Sequence, residues 1–381
     1  MDHLILITNA DMSLQSGDVV LVTRRAHEIF RQFQMKTTCV VVKKKFKTNR
    51  LQATEYIDYL VTQSQDQINS LILSKKPKLI IFFGTKSYAY IPAVKSFIKK
   101  SNIAVRIYLD IQGALEESYE YANGSALVKG YCKFLLSKAI LTLTINNLDG
   151  ALVVSDELGE YCRAHLLPTK RASFQIQKIR CGLIDIFSSQ QKEEWRKEVR
   201  ATWGIDQNTH VFVFSGYRMP WQNIEKTILT FQHFDKTLDN VFFAFFCNID
   251  DAFSEKLKKS FPQGNYRLAF LKFDEYFENL CACDVGFLIR DYNTTNHVAF
   301  PNKFSDYLNA GLMLAINKAL PEPTRLLEQY QVPYVDVDND LSSTPDLIQS
   351  RADDRTGYYQ ACEHLCTMEL LYSNQIKSMK W

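Results

Sequence analysis

The chain lacks the short motifs that identify several common enzyme classes. It contains no Gly-x-Ser-x-Gly, no Gly-x-x-x-x-Gly-Lys-Ser/Thr, no Gly-x-Gly-x-x-Gly and no His-Glu-x-x-His. Hydrolases with a nucleophile elbow, phosphate-loop proteins, dinucleotide-binding enzymes and zinc peptidases therefore lose most of their support. The seven histidines also show no metal-ligand spacing, so we expect no metal site.

Cysteine pairs, long apolar runs and a strong charge imbalance are lacking too. Nine cysteines without a Cys-x-x-Cys pair argue against a zinc site or disulfide framework and favour a reduced, cytoplasmic compartment. No window approaches ~18 consecutive apolar residues, so we predict neither a signal peptide nor a spanning helix, and any membrane contact would be peripheral. The formal net charge of +3 is too small to indicate nucleic acid as a partner.

What is present is the pattern of an α/β protein. Hydrophobic residues make up 46% and charged residues 23%, as in a globular protein. Short apolar runs such as "LILIT", "TTCVVV" and "KLIIFFG" alternate with amphipathic stretches, which predicts parallel strands covered by helices on both faces. The stretch "ATEYIDYLVTQSQDQINSLILSKK" is predicted as one or two helices. We expect ligands beyond the carboxyl ends of the strands.

The length of 381 residues predicts about two domains. The first βα series indicates a Rossmann-like domain at residues 1–177, and a charged crossing at residues 178–208 indicates a linker. A second series predicts another Rossmann-like domain at residues 209–352. Residues 353–381 form an amphipathic helical tail, with packing back on the N-terminal domain as one option.

The stretch "VAFPNKFSDYLNAGLMLAIN" predicts a helix that Pro301 opens and Gly311 closes. Lys303 and Asp306, three residues apart, share one face near its beginning. One interpretation is an ion pair on a surface helix. The other is a ligand site, because the free N–H groups and positive dipole end of a helix favour phosphate, a lysine adds charge, and a carboxylate can accept hydrogen bonds from a ribose.

The longer stretch "DVGFLIRDYNTTNHVAFPNKFSDYLNAGLMLAIN" resembles the nucleotide-sugar signature of retaining family 4 glycosyltransferases of the bacterial polysaccharide type. That resemblance implies a GT-B fold, in which two doubly wound Rossmann-like domains face a cleft. Asp306 stands where the family has a glutamate that holds the donor ribose. Val298 stands where many relatives have a glutamate that contacts the donor sugar, a role that would pass to Asn293, Asn296 or backbone amides.

Two further stretches carry the resemblance. "FVFSGYRMPWQNIEKTI" is similar to the family's first C-terminal strand and turn, so Gly216 and Arg218 would approach the donor pyrophosphate. The family's later lysine is out of register, and Gln222 or Lys226 is the nearest candidate. With Arg290 and Lys303, Arg218 would supply up to three cations for one diphosphate.

In the N-terminal half, "YLDIQGALEES" resembles the family's Asp-x-His-Gly-x-x-x-Glu element. Asp110, Gly113, Glu116 and Glu117 match, whereas Gln112 replaces the histidine on the sugar or acceptor side. A turn capped by Asp110, with Glu116 and Glu117 exposed, is the alternative. Separately, Gly17 could admit the acceptor or a donor phosphate, or could simply begin a helix.

The resemblance implies a hexosyltransferase-type enzyme (EC 2.4) without a cofactor. It would move a sugar from a UDP- or GDP-type donor to a hydroxyl of a glycan or lipid-linked acceptor, with retention, in bacterial capsule or lipopolysaccharide synthesis. Its catalytic residues would be Arg218, Lys303 and Asp110. A nucleotide-sugar 2-epimerase and a non-catalytic partner subunit remain alternatives. The basic run Lys43, Lys44, Lys45, Lys47 and Arg50 is either a solvated loop or a contact with an anionic membrane at its cytoplasmic face.

Overall fold

The computed structural model describes residues 2–13, 17–43, 51–339, 341 and 344–379. Packing divides the chain into two compact units. The first contains Met1–Ile184, Val298–Phe300 and Leu370–Trp381, and the second contains Asp185–His297 and Pro301–Glu369.

The first unit is built on a parallel sheet of seven described strands. They are β1 (Asp2–Thr8), β2 (Met35–Val41), β3 (Ile57–Val61), β4 (Leu79–Phe83), β5 (Arg106–Ile111), β6 (Gly150–Val153) and β7 (Gln175–Lys178), in the order β3-β2-β1-β4-β5-β6-β7. The central strands β1 and β4 are almost continuously apolar and buried, as expected of strands covered on both faces.

Helices connect these strands. They are α1 (Gly17–Phe33), α2 (Gln65–Lys75), α3 (Ile91–Ser101), α4 (Glu117–Glu120), α5 (Gly124–Ile145), α6 (Asp156–Ala164) and, from the end of the chain, α16 (Tyr372–Lys377). A 3-10 turn at Thr85–Tyr90 precedes α3. The last helix is tied to the unit because Gln375 accepts a hydrogen bond from the backbone N–H of Arg180 at 2.7 Å.

The second unit has a parallel sheet of six described strands, ordered β10-β9-β8-β11-β12-β13. The strands are β8 (His210–Ser215), β9 (Val241–Phe246), β10 (Tyr266–Ala269), β11 (Val285–Leu288), β12 (Met313–Ile316) and β13 (Val335–Asp336). Its helices are α7 (Ser189–Trp203), α8 (Ile224–Thr237), α9 (Asp251–Ser260), α10 (Phe273–Cys281), α11 (Thr294–His297), α12 (Asn302–Asn309), α13 (Pro321–Gln329), α14 (Thr344–Asp353) and α15 (Arg355–Leu365), followed by a π-helical segment at Cys366–Leu370.

Each sheet has a switch point, where the direction in which successive strands are added to the sheet reverses. In the first sheet the chain reverses between the neighbouring strands β1 and β4, and in the second between β8 and β11. The predicted class, two doubly wound parallel-sheet α/β domains, is therefore confirmed. Ligands of such sheets bind at the carboxyl ends of the strands that flank the switch point.

One secondary-structure prediction is wrong. The segment predicted as one or two helices contains β3, and only its second part is the helix α2. Ser64 separates the two, because its hydroxyl caps α2 by accepting a hydrogen bond from the N–H of Gln67 at 3.4 Å. Because β3 is an edge strand with four half-buried positions, it lacks the continuous apolar run of the central strands. The short strands β7 and β13 also have no such run and were not predicted.

A buried ion cluster fastens two helices to the amino edge of the second sheet. Asp284 lies directly before β11, and its carboxylate is within 2.9 Å of Arg196, 2.6 Å of Arg200 and 2.8 Å of Arg351. It also accepts a hydrogen bond from the backbone N–H of Val211 at 2.9 Å. Burial alone would raise the pKa of Asp284, but the three guanidinium groups outweigh it and hold that pKa far below its ordinary value.

Candidate active site

The second unit brings several predicted residues to its switch point. Gly216 directly follows β8, and Arg290 lies two residues after the end of β11. Since β8 and β11 are neighbours in the sheet, both residues lie at the edge where ligands of doubly wound domains bind. Asn317 fixes the backbone of Arg290, because its amide accepts from the N–H at 3.1 Å and donates to the carbonyl at 2.8 Å.

Gly216 and Lys303 are adjacent and depend on each other. Gly216 has φ +96°, a backbone conformation that favours glycine. A Cβ at this position would lie 2.7 Å from Cε and 3.1 Å from Nζ of Lys303. The glycine therefore makes room for the lysine that begins α12.

The ammonium group of Lys303 is held without a carboxylate partner among the described residues. It donates to Oε1 of Gln222 at 2.7 Å and lies 4.4 Å above the ring of Phe214. Burial, with a contribution from the charge of Arg290, lowers the pKa of Lys303 well below its ordinary value. A bound anion would reverse this effect and stabilise the charged form.

Gln222 connects the two cations. It ends a 3-10 turn at Pro220–Gln222, and its Oε1 also accepts from Nη2 of Arg290 at 2.8 Å. Of the two candidates for the family's later lysine, Gln222 is the one beside Lys303, whereas Lys226 is nearly half exposed and lies 3.9 Å from Asp338. One neutral amide oxygen thus accepts from both cations.

Arg218 lies nearby but has different partners. Its backbone N–H donates to Asn248 at 3.2 Å, and its guanidinium pairs with Asp250 and lies 4.1 Å from the ring centre of Phe253. Arg218 and Lys303 both act electrostatically on Cys247, whose pKa burial nevertheless raises to about 11. Arg218 is therefore close to the same strand end but is not bonded to Gln222 as Lys303 and Arg290 are.

Helix α12 is not a surface helix. Its residues from Phe304 to Asn309 are all buried, including Asp306, whose exposed fraction is 7%. This excludes the interpretation of Lys303 and Asp306 as a solvent-exposed ion pair. Pro301 occupies the N-cap position of α12 and offers no side-chain hydrogen bond to the first turn. Gly311, with φ +76°, follows the end of the helix as predicted.

Tyr307 anchors α12 to the end of β8. Its hydroxyl lies 2.9 Å from the hydroxyl of Ser215 and accepts from the backbone N–H of that residue at 3.1 Å. Its ring fills the space above Gly286, where a Cβ would lie 2.4 Å from the ring. No motif in the sequence predicted this contact, although the serine directly before the strand-end glycine is a pattern that could have indicated it.

The Asn-rich loop before α12 has internal bonds. Asn293 begins the short helix α11, since its amide oxygen accepts from the N–H of Asn296 at 3.0 Å. Asn296 donates to the carbonyl of Asp291 at 2.9 Å. Val298, which replaces the family glutamate, is buried, and its carbonyl accepts from the hydroxyl of Ser155 at 2.6 Å within the first unit.

In the first unit, Asp110 is buried at the carboxyl end of β5. One carboxylate oxygen accepts from Nη1 of Arg25 at 2.8 Å, and the other accepts from the amide of Gln112. Burial raises the pKa of Asp110, although Arg25 and Gln112 oppose that shift. Both oxygens are engaged, so proton transfer by Asp110 would need one of these bonds to open. Arg25 belongs to no sequence motif and was not predicted as a site residue. It lies on α1 and also donates to the carbonyl of Ile179 at 2.6 Å.

The other predicted residues of this unit lie close to Asp110. A Cβ on Gly113 would be 4.0 Å from the carboxylate of Glu117, whose pKa burial raises with help from the charge of Asp18. Glu116 accepts from the hydroxyl of Tyr161 at 2.8 Å. Gly17 begins α1, and no ligand is needed to explain it there.

Of the predicted basic run, the structure describes only the first residue, Lys43. Lys43 pairs with Asp11 at 2.6 Å, while Lys44, Lys45, Lys47 and Arg50 lie outside the described residues. In the described part of the chain, no group of three or more His, Cys, Asp or Glu residues is arranged to hold a metal ion. No described helix is long and apolar enough to cross a membrane.

Comparison with known proteins supports the fold. No protein-family model and no curated protein sequence matches the chain. Among solved structures, the sucrose-phosphate synthase from Thermosynechococcus elongatus has 12% identity and a TM-score of 0.66 over 98% of this chain and 96% of that one. WaaG, a glycosyltransferase involved in lipopolysaccharide biosynthesis, has 11% identity and a TM-score of 0.62 over 99% and 98%.

A third solved structure belongs to another activity class. The putative UDP-N-acetylglucosamine 2-epimerase from Listeria monocytogenes has 10% identity and a TM-score of 0.52 over 98% of this chain and 93% of that one. At such identities the comparisons show the fold alone. The chain is a two-domain α/β protein of the GT-B fold.

Proposed function

We propose that the protein is a retaining glycosyltransferase of the hexosyltransferase type. It would use a UDP- or GDP-type sugar as donor and a hydroxyl of a glycan or lipid-linked acceptor, in the synthesis of a bacterial surface polysaccharide. The observation that carries the proposal is the shared amide oxygen of Gln222, at 2.7 Å from Lys303 and 2.8 Å from Arg290, beside the start of α12. Two cations and a helix N-terminus converge where a doubly wound domain binds its ligand.

The donor diphosphate would replace the amide oxygen of Gln222 as the acceptor of these hydrogen bonds. Lys303, Arg290 and the first N–H groups of α12 would stabilise the charge that develops on the leaving diphosphate. Gly216 would let the diphosphate approach the backbone, and Arg218 would exchange Asp250 for a phosphate oxygen. Departure of the diphosphate would let the acceptor hydroxyl attack on the same face, with retention.

The remaining residues would orient the sugar and the ribose. Asp306 would hold the ribose, while Asn293 and Asn296 would take over the contact that Val298 cannot make. On the acceptor side, Asp110 would position the amide of Gln112, with Gly113 and Gly17 leaving space for the acceptor. No metal and no cofactor is assigned to the reaction.

Calorimetric titration with UDP and with GDP tests the proposal. Lys303→Ala should weaken binding of the preferred nucleotide by about 10- to 150-fold, since a charge-assisted hydrogen bond contributes about 1.5–3 kcal/mol. Arg218→Ala should also weaken binding and lower transfer. The matched control is Lys226→Ala, whose exposed lysine lies on α8. Equal affinity and equal transfer in all four proteins would refute the assignment.

Two alternatives are separated by further assays. A 2-epimerase would convert its nucleotide sugar with no acceptor added, whereas the transferase needs one for full turnover. A non-catalytic partner subunit, for which the replacements at Gln112 and Val298 would argue, should show no donor turnover at all. A cytoplasmic location is proposed from the nine cysteines, which are all free thiols.

A further inference from the structure

Helix α5 is apolar on two opposite faces. One face packs into the first unit through Phe134, Leu141 and Ile145, and Gly130 lies so close to α4 that a Cβ would be 2.2 Å from the carbonyl oxygen of Ser118. The other face leaves large apolar side chains in solvent. These are Val128, Leu135, Leu136 and Leu143. A helix that is apolar all round is normally covered on all sides. The described part of the chain leaves this face of α5 uncovered.

The exposed side chains form a continuous stripe. At 3.6 residues per turn, Val128, Leu135, Leu136 and Leu143 fall within an arc of about 100° opposite the buried face and extend over about 22 Å along the helix. We call these four residues the α5 stripe. Leu136 is 64% exposed and Leu143 is 73% exposed. So much uncovered leucine surface in a single row indicates a docking surface.

The charges along α5 are of one sign. The segment from Gly124 to Ile145 contains three lysines and no acidic residue. The helical spacing puts Lys129 and Lys133 on one side of the stripe and Lys138 on the other. Lys133 also acts electrostatically on Glu117, which belongs to the neighbouring α4. An apolar stripe with cations on both sides is typical of helices that lie in a membrane interface.

A turn at the end of α5 continues the same surface. The backbone N–H of Leu167 donates to Asn146 at 2.7 Å, which fastens this exposed leucine beside the last turn of the helix. Lys170 and Arg171 follow it and are exposed. The apolar and basic character therefore does not end with the helix.

We propose that the α5 stripe docks on an anionic lipid bilayer, with α5 lying along the interface. The leucines would enter the boundary between headgroups and acyl chains, and the lysines would contact anionic headgroups. A second copy of the chain is a poorer occupant, because two identical cationic faces would repel each other. The α5 stripe contains none of the residues of the predicted basic run, and its binding needs neither donor nor acceptor.

Vesicle co-sedimentation of the full chain tests the proposal. Vesicles of phosphatidylcholine with 30 mol% phosphatidylglycerol, about a third anionic lipid, should bind the protein at least tenfold more strongly than pure phosphatidylcholine, and added salt should weaken binding. The double variant Leu136→Glu/Leu143→Glu should lose at least tenfold in partitioning, as should Lys129→Glu/Lys138→Glu. Leu229→Glu is the matched control, since Leu229 is 65% exposed on α8 of the second unit.

Two results would overturn the proposal. One is vesicle binding that is absent or unchanged in both double variants. The other is a dimer, measured by light scattering, that the Leu136→Glu/Leu143→Glu variant dissociates, because a second copy would then cover the stripe. Circular dichroism of each variant establishes that the substituted, exposed positions have not unfolded the protein.

A native thiol allows a direct measurement of insertion. Cys132 lies one turn after Val128 and is the exposed one of the nine cysteines, while the other eight are buried. An environment-sensitive fluorophore on Cys132 should shift to shorter emission wavelength with anionic vesicles and be quenched by lipids that carry a shallow spin label. An unchanged spectrum in vesicles that do co-sediment the protein would show that another surface binds them.

Discussion

The substitution Asp284→Asn should strongly destabilise the second unit. Asp284→Asn keeps an oxygen for the backbone N–H of Val211 but removes the one carboxylate that three buried arginines share. Breaking a buried ion pair by removing one partner costs about 3–5 kcal/mol. Because Arg196, Arg200 and Arg351 would all remain buried, we expect the upper part of that range.

That loss should be visible in thermal and urea unfolding. For a unit of this size, 1 kcal/mol corresponds to about 2–4 °C, so a loss of about 4–5 kcal/mol should lower the melting temperature by about 8–20 °C. Tryptophan fluorescence is a suitable signal, since Trp195, Trp203 and Trp221 all lie in the second unit. Far-ultraviolet circular dichroism would show whether the first unit unfolds with it.

The control is the same substitution at an exposed carboxylate. Asp250 also accepts a backbone N–H, from Phe253 at 2.8 Å, and also pairs with an arginine, but its side chain is 52% exposed. Asp250→Asn should change stability little, because exposed ion pairs contribute little and asparagine is also a good helix cap. Equal melting temperatures for the two variants would refute the reasoning that burial of Asp284 makes the difference.

The pH dependence gives a second check. The pKa of Asp284 is lowered by folding, so its contribution is fully present above the pKa of about 3.9 in the unfolded chain. It is lost as pH falls from there toward the far lower folded value. The gap in stability between wild type and Asp284→Asn should therefore be constant above about pH 5 and narrow below about pH 4. A gap that widens in acid would contradict the assigned sign.

Three further predictions concern the donor site. Gly216→Ala should reduce nucleotide affinity at least tenfold in calorimetry, because the φ of +96° is strained for alanine and the new Cβ would displace Lys303; unchanged affinity would contradict the contact. Binding of a nucleoside diphosphate should take up protons at pH values between the lowered pKa of Lys303 in the free protein and its higher pKa in the complex, since that pKa would rise beside an anion; calorimetry in buffers of different ionisation enthalpy measures this, and Lys303→Met should abolish it. Gln222→Lys should lower the melting temperature by adding a cation beside Lys303 and Arg290, and should strengthen diphosphate binding; if neither quantity changes, the convergence on Gln222 is not functional.

The fold could be predicted from the sequence where strands are continuously apolar. Strands such as β1 and β4 are buried on both faces and therefore have an unambiguous pattern. Edge strands such as β3 and β7 have half-exposed residues and carry no such pattern, which is why one was predicted as helix and the other was missed. These two strands were mispredicted because they are only partly buried. A continuous apolar run indicates a central strand and not every strand.

The candidate site could be predicted as a set of residue types but not as a network. The motif spacing pointed to Gly216, Arg290 and Lys303, which the structure brings to one edge of the sheet. It could not show that Gln222 connects the last two, because that contact spans 68 and 81 positions along the chain. Nor could it show that Arg25, on a different helix, engages the carboxylate of Asp110.

The two edges of the second sheet provide different partners for their cations. We infer that the cations at the amino edge have a structural role and those at the carboxyl edge a functional one. At the amino edge, Arg200 donates to the backbone carbonyls of Ala282 and Thr209 at 2.9 and 2.8 Å as well as to Asp284, so the protein supplies its guanidinium with a carboxylate partner and carbonyl acceptors. At the carboxyl edge, Lys303 is buried enough to lower its pKa and yet has only a neutral amide oxygen and a ring face as described partners. A partly buried cation without a carboxylate costs stability. The cost is repaid when a ligand supplies the missing negative charge, which is the role a donor diphosphate would have here.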